Sequence, residues 1–189
     1  MLNLKRVVCD ISGKIYIPEE LQEHNERILI HISDTPVCLY PQLKRLIETI
    51  KPEYIIHTGD IVDNIKLELY PKAVSTYEKY VEKLACIMES STAEIIVALG
   101  NHDHSGIVKE YMKKSTIIEK SDNVEIEGLS FRISHFSEEI LKAPADFNLY
   151  GHDLSLESGI IDGKLFFNGI SNINIIGLDS RSSCFLKYP

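Results

Sequence analysis

The segment YIIHTGDIVD, residues 54–63, constrains the fold more than any other part of this sequence. Its first three residues form a short apolar run, which is typical of a parallel strand buried on both faces. Gly59 permits a tight turn at the carboxyl end of that strand, and the carboxylates Asp60 and Asp63 follow it. Ligands of open α/β sheets bind at this end. Asp60 is therefore the first candidate ligand for a hard divalent cation.

Strands and helices alternate around this segment. Residues 27–33 predict a strand that ends at Asp34, and residues 42–50 predict a helix with apolar residues on one face. With the buried strand that follows, this helix forms a strand–helix–strand unit whose crossover is expected to be right-handed. A long amphipathic helix is predicted from about residue 71 to residue 90, and a third buried strand over residues 95–99.

The second half of the chain is predicted to be rich in β-structure, after a short helix over residues 108–114. Short strands are expected at residues 124–126, 129–134, 147–150, 160–161, 165–168 and 174–177. Turn signals separate them at Asp122-Asn123, Glu127-Gly128 and Asp162-Gly163. The two halves are then two sheets of one sandwich, flanked by the early helices.

The whole chain, residues 1–189, is expected to form one domain of the α/β (α+β) class. Residues 1–26 are predicted to be an N-terminal extension. Within it, residues 5–17 alternate in the manner of a β-hairpin that turns near Ser12-Gly13. The role of residues 180–189 stays open between covering a sheet edge and making a homodimer contact.

Composition excludes some classes of function. The net charge of −8 and the lack of a basic run argue against nonspecific nucleic-acid binding. Small phosphorylated substrates stay compatible with this charge, because a bound metal supplies positive charge locally. The four scattered cysteines are expected to be reduced thiols rather than a zinc site. With no apolar run of membrane-spanning length and no recognisable signal peptide, we expect a cytoplasmic location without membrane contact.

Polar residues of metal-binding type follow the predicted strands in five blocks. The blocks are Asp34, Gly59-Asp60-x-x-Asp63, Gly100-Asn101-His102-Asp103, His135 and Gly151-His152-Asp153. Any one block alone is weak evidence, since an isolated histidine is more often a hydrogen-bonded core residue than a ligand. The order and spacing of the five blocks, taken together, are much stronger evidence for a metal site.

In this order the blocks resemble those of the calcineurin-like metallophosphoesterase family, from about residue 27 to residue 168. The signature of that family is D-x-H, then GD-x-x-D, then GNH-D/E, then a lone His, then GH-x-H. The resemblance implies a two-sheet β-sandwich flanked by helices, with two divalent metals that are bridged by the aspartate of the GD motif.

Carried over by position, the resemblance implies a role for each block. The second metal would bind the bridging Asp60 together with Asn101, His135 and His152. His102 would be the general acid or the electrostatic partner of the leaving oxygen, and Asp103 would orient His102 through a hydrogen bond. Two cations roughly 3.5 to 4 Å apart would neutralise the phosphate and lower the pKa of a bridging water. The mixed ligand set favours Mn²⁺, with Fe, Zn²⁺ and Mg²⁺ as alternatives.

The departures from the signature fall on the first metal. Pro36 and Leu154 stand where the signature has histidines. The first site therefore keeps only Asp34 and the bridging Asp60. We expect one firmly bound cation and a second that is weakly bound or absent.

The other histidines have simpler interpretations. His31 is expected to be a packed strand residue behind the site, although it is also a candidate substitute ligand, as is Asp153. His57 and His104 are expected to support the site or to lie at its rim. His24 is expected to be exposed to solvent.

The favoured function is hydrolysis of a small phosphomonoester, phosphodiester or nucleotide by a metal-activated water. The alternative is a catalytically impaired member of the family that serves as a binding or scaffold protein. Retention of His102 and Asp103 favours the enzyme, since a scaffold has no use for an acid beside an oriented histidine. A serine or cysteine hydrolase has no support, because the chain has no G-x-S-x-G motif and no evident Cys/His pairing.

Overall fold

The computed structural model describes residues 4–67 and 69–189. Over these ranges the α-helices are α1 (Leu4–Ile11), α2 (Glu19–Gln22), α3 (Tyr40–Ile50), α4 (Val74–Glu89), α5 (Ser105–Tyr111) and α6 (Ser137–Lys142). The strands are β1 (Ile28–Ile32), β2 (Tyr54–His57), β3 (Glu94–Ala98), β4 (Thr116–Ile118), β5 (Ser121–Ile126), β6 (Leu129–Ser134), β7 (Phe147–Tyr150), β8 (Gly159–Ile161), β9 (Lys164–Asn168), β10 (Ile173–Gly177) and β11 (Ser183–Leu186). Short 3₁₀ turns precede α3 at Val37–Leu39 and α4 at Pro71–Ala73.

The first sheet has the strand order β11-β10-β1-β2-β3-β4. Strands β1 to β4 run parallel, whereas β10 pairs antiparallel with β1, and β11 antiparallel with β10. In the central register Ile30 lies opposite Ile55, and Ile55 lies opposite Ile95. The parallel pairing brings the carboxyl ends of β1, β2 and β3 to the same edge of the sheet.

The second sheet has the strand order β5-β6-β7-β9-β8. Strands β6, β7 and β9 are parallel, and the hairpins β5–β6 and β8–β9 form its two edges. The hairpins turn at Glu127-Gly128 and Asp162-Gly163, where all four residues have positive φ. Two-residue hairpin turns require this backbone and favour glycine in it. Both of these predicted turns are therefore confirmed.

Apolar side chains fill two main layers. One layer lies between the first sheet and helices α3, α4 and α5, and the other lies between the two sheets. Strand β2 contributes Ile55 to the helix side and Ile56 to the second sheet, because successive strand side chains point to opposite faces. Helix α6 covers the outer face of the second sheet, where Ile140 packs with Tyr150 and Phe166. The predicted α/β fold, a two-sheet sandwich flanked by helices, is confirmed. The assignment of one sheet to each half of the chain is wrong, because β4, β10 and β11 belong to the first sheet.

The N-terminal hairpin predicted over residues 5–17 is wrong. The structure has helix α1 there, over Leu4–Ile11, with Val8 and Ile11 exposed. The apolar residues at positions 4, 7, 8 and 11 recur at helical spacing, and this period prevails over the apparent alternation.

Other differences concern short elements. The turn predicted at Asp122-Asn123 is wrong, because both residues lie within β5. The helix predicted over residues 108–114 begins earlier, at Ser105, and ends at Tyr111. Strands β4 and β11 and helix α6 were not predicted. Over the described ranges, every helix is too short or too polar to cross a membrane.

Helix α3 gives a test of the packing between the helices and the first sheet. Leu46 lies on its buried face and is wholly inaccessible to solvent. We predict that Leu46→Ala lowers the free energy of unfolding by about 2 to 5 kcal/mol, because it removes buried methyl groups and leaves a cavity. Urea denaturation followed by circular dichroism measures this change.

The matched control is Leu141→Ala in helix α6, since the Leu141 side chain is 52% exposed. Its effect is expected to stay within about 0.5 kcal/mol. Equal destabilisation by the two substitutions would contradict the placement of α3.

Candidate metal centre

The predicted ligands all follow parallel strands. Asp34 follows β1, Asp60 follows β2 and Asn101 follows β3 in the first sheet. His135 follows β6 and His152 follows β7 in the second sheet. The structure brings these five residues, distant in the sequence, to one place where the ends of both sheets meet.

His135 lies at the centre of this cluster and is fully buried. Its Nδ1 is 2.6 Å from the carbonyl oxygen of Thr58, which can only accept a hydrogen bond, so the ring proton is on Nδ1. The other ring nitrogen, Nε2, therefore presents a lone pair. Around Nε2 lie Asn101 Oδ1 at 3.1 Å, His152 Nδ1 at 3.2 Å and Asp60 Oδ2 at 3.7 Å.

Lone pairs that face one another at these distances repel, and a bound cation would relieve the repulsion. Burial lowers the pKa of His135, which favours the neutral ring, and the neighbouring Asp60 opposes the shift. In the neutral ring, Nε2 faces a second acceptor, Asn101 Oδ1. Ligands about 2.1 Å from one cation lie roughly 3.0 to 3.4 Å apart at octahedral and tetrahedral angles. The observed spacings are close to these values. The carboxylate, amide and imidazole donors therefore fit a divalent transition-metal ion.

Asp34 borders the cluster on the side of the first metal. Its carboxylate forms a group with Asp60 and His135 in which one ligand atom from each lies within 4.8 Å of the others. Oδ2 of Asp34 accepts hydrogen bonds from Ser33 Oγ at 2.6 Å and from the backbone N–H of His152 at 3.1 Å. Burial raises the pKa of Asp34 to about 7, while the Ser33 hydrogen bond opposes the rise.

The two positions that lack the signature histidines supply no ligand atom to this side. Pro36 lines a cavity beside Asp34, and Leu154 is 62% exposed in a separate cleft next to strands β8 and β11. Asp153, a candidate substitute, is exposed, and its Oδ1 accepts a hydrogen bond from the Ser155 backbone at 2.8 Å. The first site is thus much poorer in ligands than the second.

Asp103 holds the loops after β2 and β3 together. Its carboxylate accepts hydrogen bonds from the backbone N–H groups of Asp60 at 2.8 Å, Ile61 at 2.9 Å and Gly100 at 2.9 Å, and from Tyr77 Oη at 2.9 Å. Burial raises the pKa of Asp103 to about 6, and these backbone hydrogen bonds oppose the rise. The orientation of His102 by Asp103 stays a prediction beside this bridging role.

His102 is half-buried beside the cluster. Its backbone N–H donates to Asp60 Oδ1 at 3.1 Å, and its Nε2 lies 3.0 Å from Asn101 Nδ2. The Asn101 amide therefore directs its oxygen toward His135 and its nitrogen toward His102. One side chain thus links the cation ligands to the predicted general acid.

Two glycines allow these loops to approach each other. A Cβ atom at Gly59, whose φ is 98°, would lie 2.6 Å from both the Gly100 nitrogen and His135 Nδ1. A Cβ atom at Gly100 would lie 2.2 Å from Asp60 Oδ1. Both distances are far below van der Waals contact, so only glycine fits at either position.

Two supporting residues could not be recognised from the sequence. Tyr77 lies on the buried face of helix α4, and its hydroxyl also donates to Asp103. The Phe136 ring packs edge-on against the imidazoles of His135 and His152, with centroid distances of 4.8 and 4.7 Å. Apolar spacing predicts that such rings are buried, but it does not identify the polar groups they contact.

Besides His102, four histidines lie outside the ligand set, and one of them, His104, caps the start of helix α5. His31 and His57 are fully buried, and their Nε2 atoms hydrogen-bond to Thr58 Oγ1 at 3.0 Å and Thr35 Oγ1 at 2.9 Å. Burial lowers the pKa of each to about 3. His31 is therefore a packed strand residue, as predicted. The predicted exposure of His24 is wrong, because it is half-buried and both of its ring nitrogens contact backbone carbonyls.

The glycine contact generates a prediction. We expect Gly100→Ala to lower the free energy of unfolding by about 1 to 3 kcal/mol through steric overlap. The substitution also displaces Asp60, so Mn²⁺ affinity is expected to fall at least about tenfold. Urea denaturation and isothermal titration calorimetry measure the two effects.

Gly159→Ala is the matched control, because a Cβ atom there meets nothing within 4 Å. It is expected to leave Mn²⁺ affinity unchanged. Unchanged affinity in Gly100→Ala as well would show that the cation lies elsewhere.

Comparison with solved structures shows the same fold in several proteins. An archaeal phosphodiesterase is 20% identical, with a TM-score of 0.57, over 84% of this chain and 98% of that one. A protein from Thermotoga maritima, solved by NMR, is 17% identical, with a TM-score of 0.52, over 86% and 99% of the two chains. A phosphoesterase from E. coli is 16% identical, with a TM-score of 0.52, over 85% and 98%.

The sequence itself gives the assignment. Among curated proteins, none matches it significantly. The model of the calcineurin-like phosphoesterase family matches residues 28–182, which include all of the ligand cluster and both loops that Asp103 joins. The chain therefore belongs to the calcineurin-like phosphoesterase family.

Proposed function

We propose that this protein is a metal-dependent phosphoesterase that hydrolyses a small phosphate ester with one firmly held divalent cation. The observation that carries the proposal is the convergence of Asp60 Oδ2, Asn101 Oδ1 and His152 Nδ1 on the lone pair of His135 Nε2. Membership of the family supports the reaction class, and the solved phosphodiesterase and phosphoesterase of the same fold are consistent with it.

The cation would be held by Asp60, Asn101, His135 and His152. When bound, it supplies a positive charge that polarises the phosphate and makes a neighbouring water more acidic. Asp60 and His135 are buried, whereas Asn101 and His152 are exposed. The buried pair therefore anchors the site, and the exposed pair leaves a side that a phosphate can approach.

His102 is proposed to act as the general acid. The hydrogen bond from its backbone to Asp60 fixes His102 next to the candidate ligands. In its protonated form it donates a proton to the departing oxygen of the ester, which lowers the cost of releasing an alkoxide. Asp103 acts on the same step indirectly, because it sets the position of the loop that carries His102.

The first site is proposed to bind a cation weakly. Asp34 and Asp60 are its only remaining carboxylates from the signature, and Pro36 and Leu154 offer no ligand atoms. Two carboxylates and waters suit a hard ion such as Mg²⁺ at low affinity. Mn²⁺ is the proposed ion of the firm site, because its ligands combine oxygen and imidazole nitrogen.

Metal stoichiometry tests the ligand assignment. We predict one tightly bound Mn²⁺ per chain in the wild type, and a loss of more than about 100-fold in affinity in Asp60→Asn, since an amide cannot supply the bridging negative charge. Asp122→Asn, at an exposed position in strand β5, removes the same charge and is expected to bind as the wild type does. Unchanged binding by Asp60→Asn in calorimetry would show that the ligand set is wrong.

Activity tests the reaction. With Mn²⁺ and a chromogenic p-nitrophenyl phosphodiester, His102→Ala is expected to lower kcat by about 100-fold or more, because the general acid is lost. His24→Ala changes a histidine outside the cluster and is expected to keep wild-type kcat. Equal background rates in the wild type and His102→Ala would favour the alternative, a catalytically impaired binding or scaffold protein.

A further inference from the structure

We propose that a cavity beside Asp34 binds the alcohol portion of the ester and selects an uncharged aromatic or nucleoside-sized group. This cavity, here called the Pro36 cavity, has a volume of about 530 Å³ and is bordered by Asp34, Pro36, Pro41, Asp63, Ile170 and Tyr188. The inference rests on the proposed function, because it names the substrate class of that same site.

The Pro36 cavity borders the candidate metal centre through Asp34. Asp34 belongs to its wall, and the Asp34 carboxylate lies within 4.8 Å of ligand atoms of Asp60 and His135. A phosphate held at the cation would therefore direct one of its ester substituents toward this cavity. The volume falls within the range of about 300 to 1,000 Å³ that is usual for small-molecule sites.

The wall of the cavity is largely apolar. Pro36 occupies the position at which the family signature has a metal-binding histidine, and it presents a ring of carbon atoms there. Pro41 and Ile170 add further apolar surface. The loss of a ligand thus gives the site a surface that favours an apolar or aromatic group.

Tyr188 forms a fixed part of the same wall. Its hydroxyl donates a hydrogen bond to the carbonyl oxygen of Gly169 at 2.7 Å. Burial raises the pKa of Tyr188, and the nearby carboxylate of Asp34 adds to the rise. An anchored aromatic ring gives a flat surface on which another ring can stack.

The charges around the cavity argue against an anionic alcohol. Its border includes the carboxylates of Asp34 and Asp63 and no lysine, arginine or histidine among the described residues. Lys66 approaches Asp63 Oδ1 to 4.0 Å, but the two side chains are 46% and 37% exposed, so the pair is weak. An alcohol with a second phosphate or a carboxylate is therefore disfavoured, and the reacting phosphate is the negative group that the site accepts.

Binding of simple alcohol analogues tests this proposal without catalysis. Ligand-observed NMR on the Mn²⁺-free protein is expected to show that 2-phenylethanol binds about tenfold more tightly than 3-phenylpropanoate, because the carboxylate meets Asp63. Asp63→Asn is expected to reduce this tenfold difference between the two dissociation constants, because it removes the repelling carboxylate. If the ratio of the two dissociation constants is the same in the wild type and Asp63→Asn, the proposal that the cavity disfavours anionic groups is wrong.

A filled cavity is the second test. Ile170→Trp replaces an aliphatic side chain with a larger indole that fills part of the cavity. It is expected to weaken 2-phenylethanol binding at least about tenfold. Ile160→Trp is the matched control, because Ile160 is 72% exposed and borders a different cleft. Equal binding by both variants, with wild-type circular dichroism, would show that the Pro36 cavity is not the site.

Steady-state kinetics separate this inference from the proposed function. For bis-p-nitrophenyl phosphate, Ile170→Trp is expected to raise KM about tenfold with little change in kcat, because the cavity binds the substrate and does not react. A wild-type enzyme with full activity and an unchanged KM in Ile170→Trp would overturn the inference alone. Absence of hydrolysis by the wild type would contradict the proposed function, and the binding measurements would then decide the inference.

Discussion

The carboxylate of Asp103 is the contact on which the metal centre depends. It accepts hydrogen bonds from three backbone amides and one phenol, and so it fixes the loop that carries Asp60 against the loop that carries Asn101. Backbone amides have few ways to move once their strands are paired. The ligands are therefore positioned by main chain that belongs to a rigid sheet, which is how a site gains precise geometry at little entropic cost.

The fold and the ligand positions could be predicted because their signals are local. The buried apolar runs of β1, β2 and β3 are followed by a carboxylate or a glycine. At residues 127–128 and 162–163, an acidic residue followed by glycine indicates a two-residue hairpin turn. The hydroxyl of Tyr77 gave no such signal, since its partner lies 26 residues further along the chain. Strands β4 and β11 each bury only their last residue, so neither presents a buried apolar run. Helix α1 was misjudged because its short sequence satisfies two periods.

The candidate centre is asymmetric in its ligand atoms. The second site keeps a complete ligand set around His135, whereas the side of Asp34 has exchanged imidazole for the apolar surface of Pro36. A hard, strongly hydrated cation and an apolar group compete for such a space. On that side the structure places Pro36 and its apolar neighbours, whereas the second site keeps carboxylate, amide and imidazole donors.

The contact between Gly59 and Gly100 limits how a protein of this kind can diverge. A side chain at either position would collide with the opposite loop, so the present distance between the loops requires glycine at both positions. Evolutionary change is then confined to residues that leave this backbone where it is, such as those at positions 36 and 170. Proteins built on the same core can therefore differ in the residues around the two loops, while the spacing between the loops stays the same.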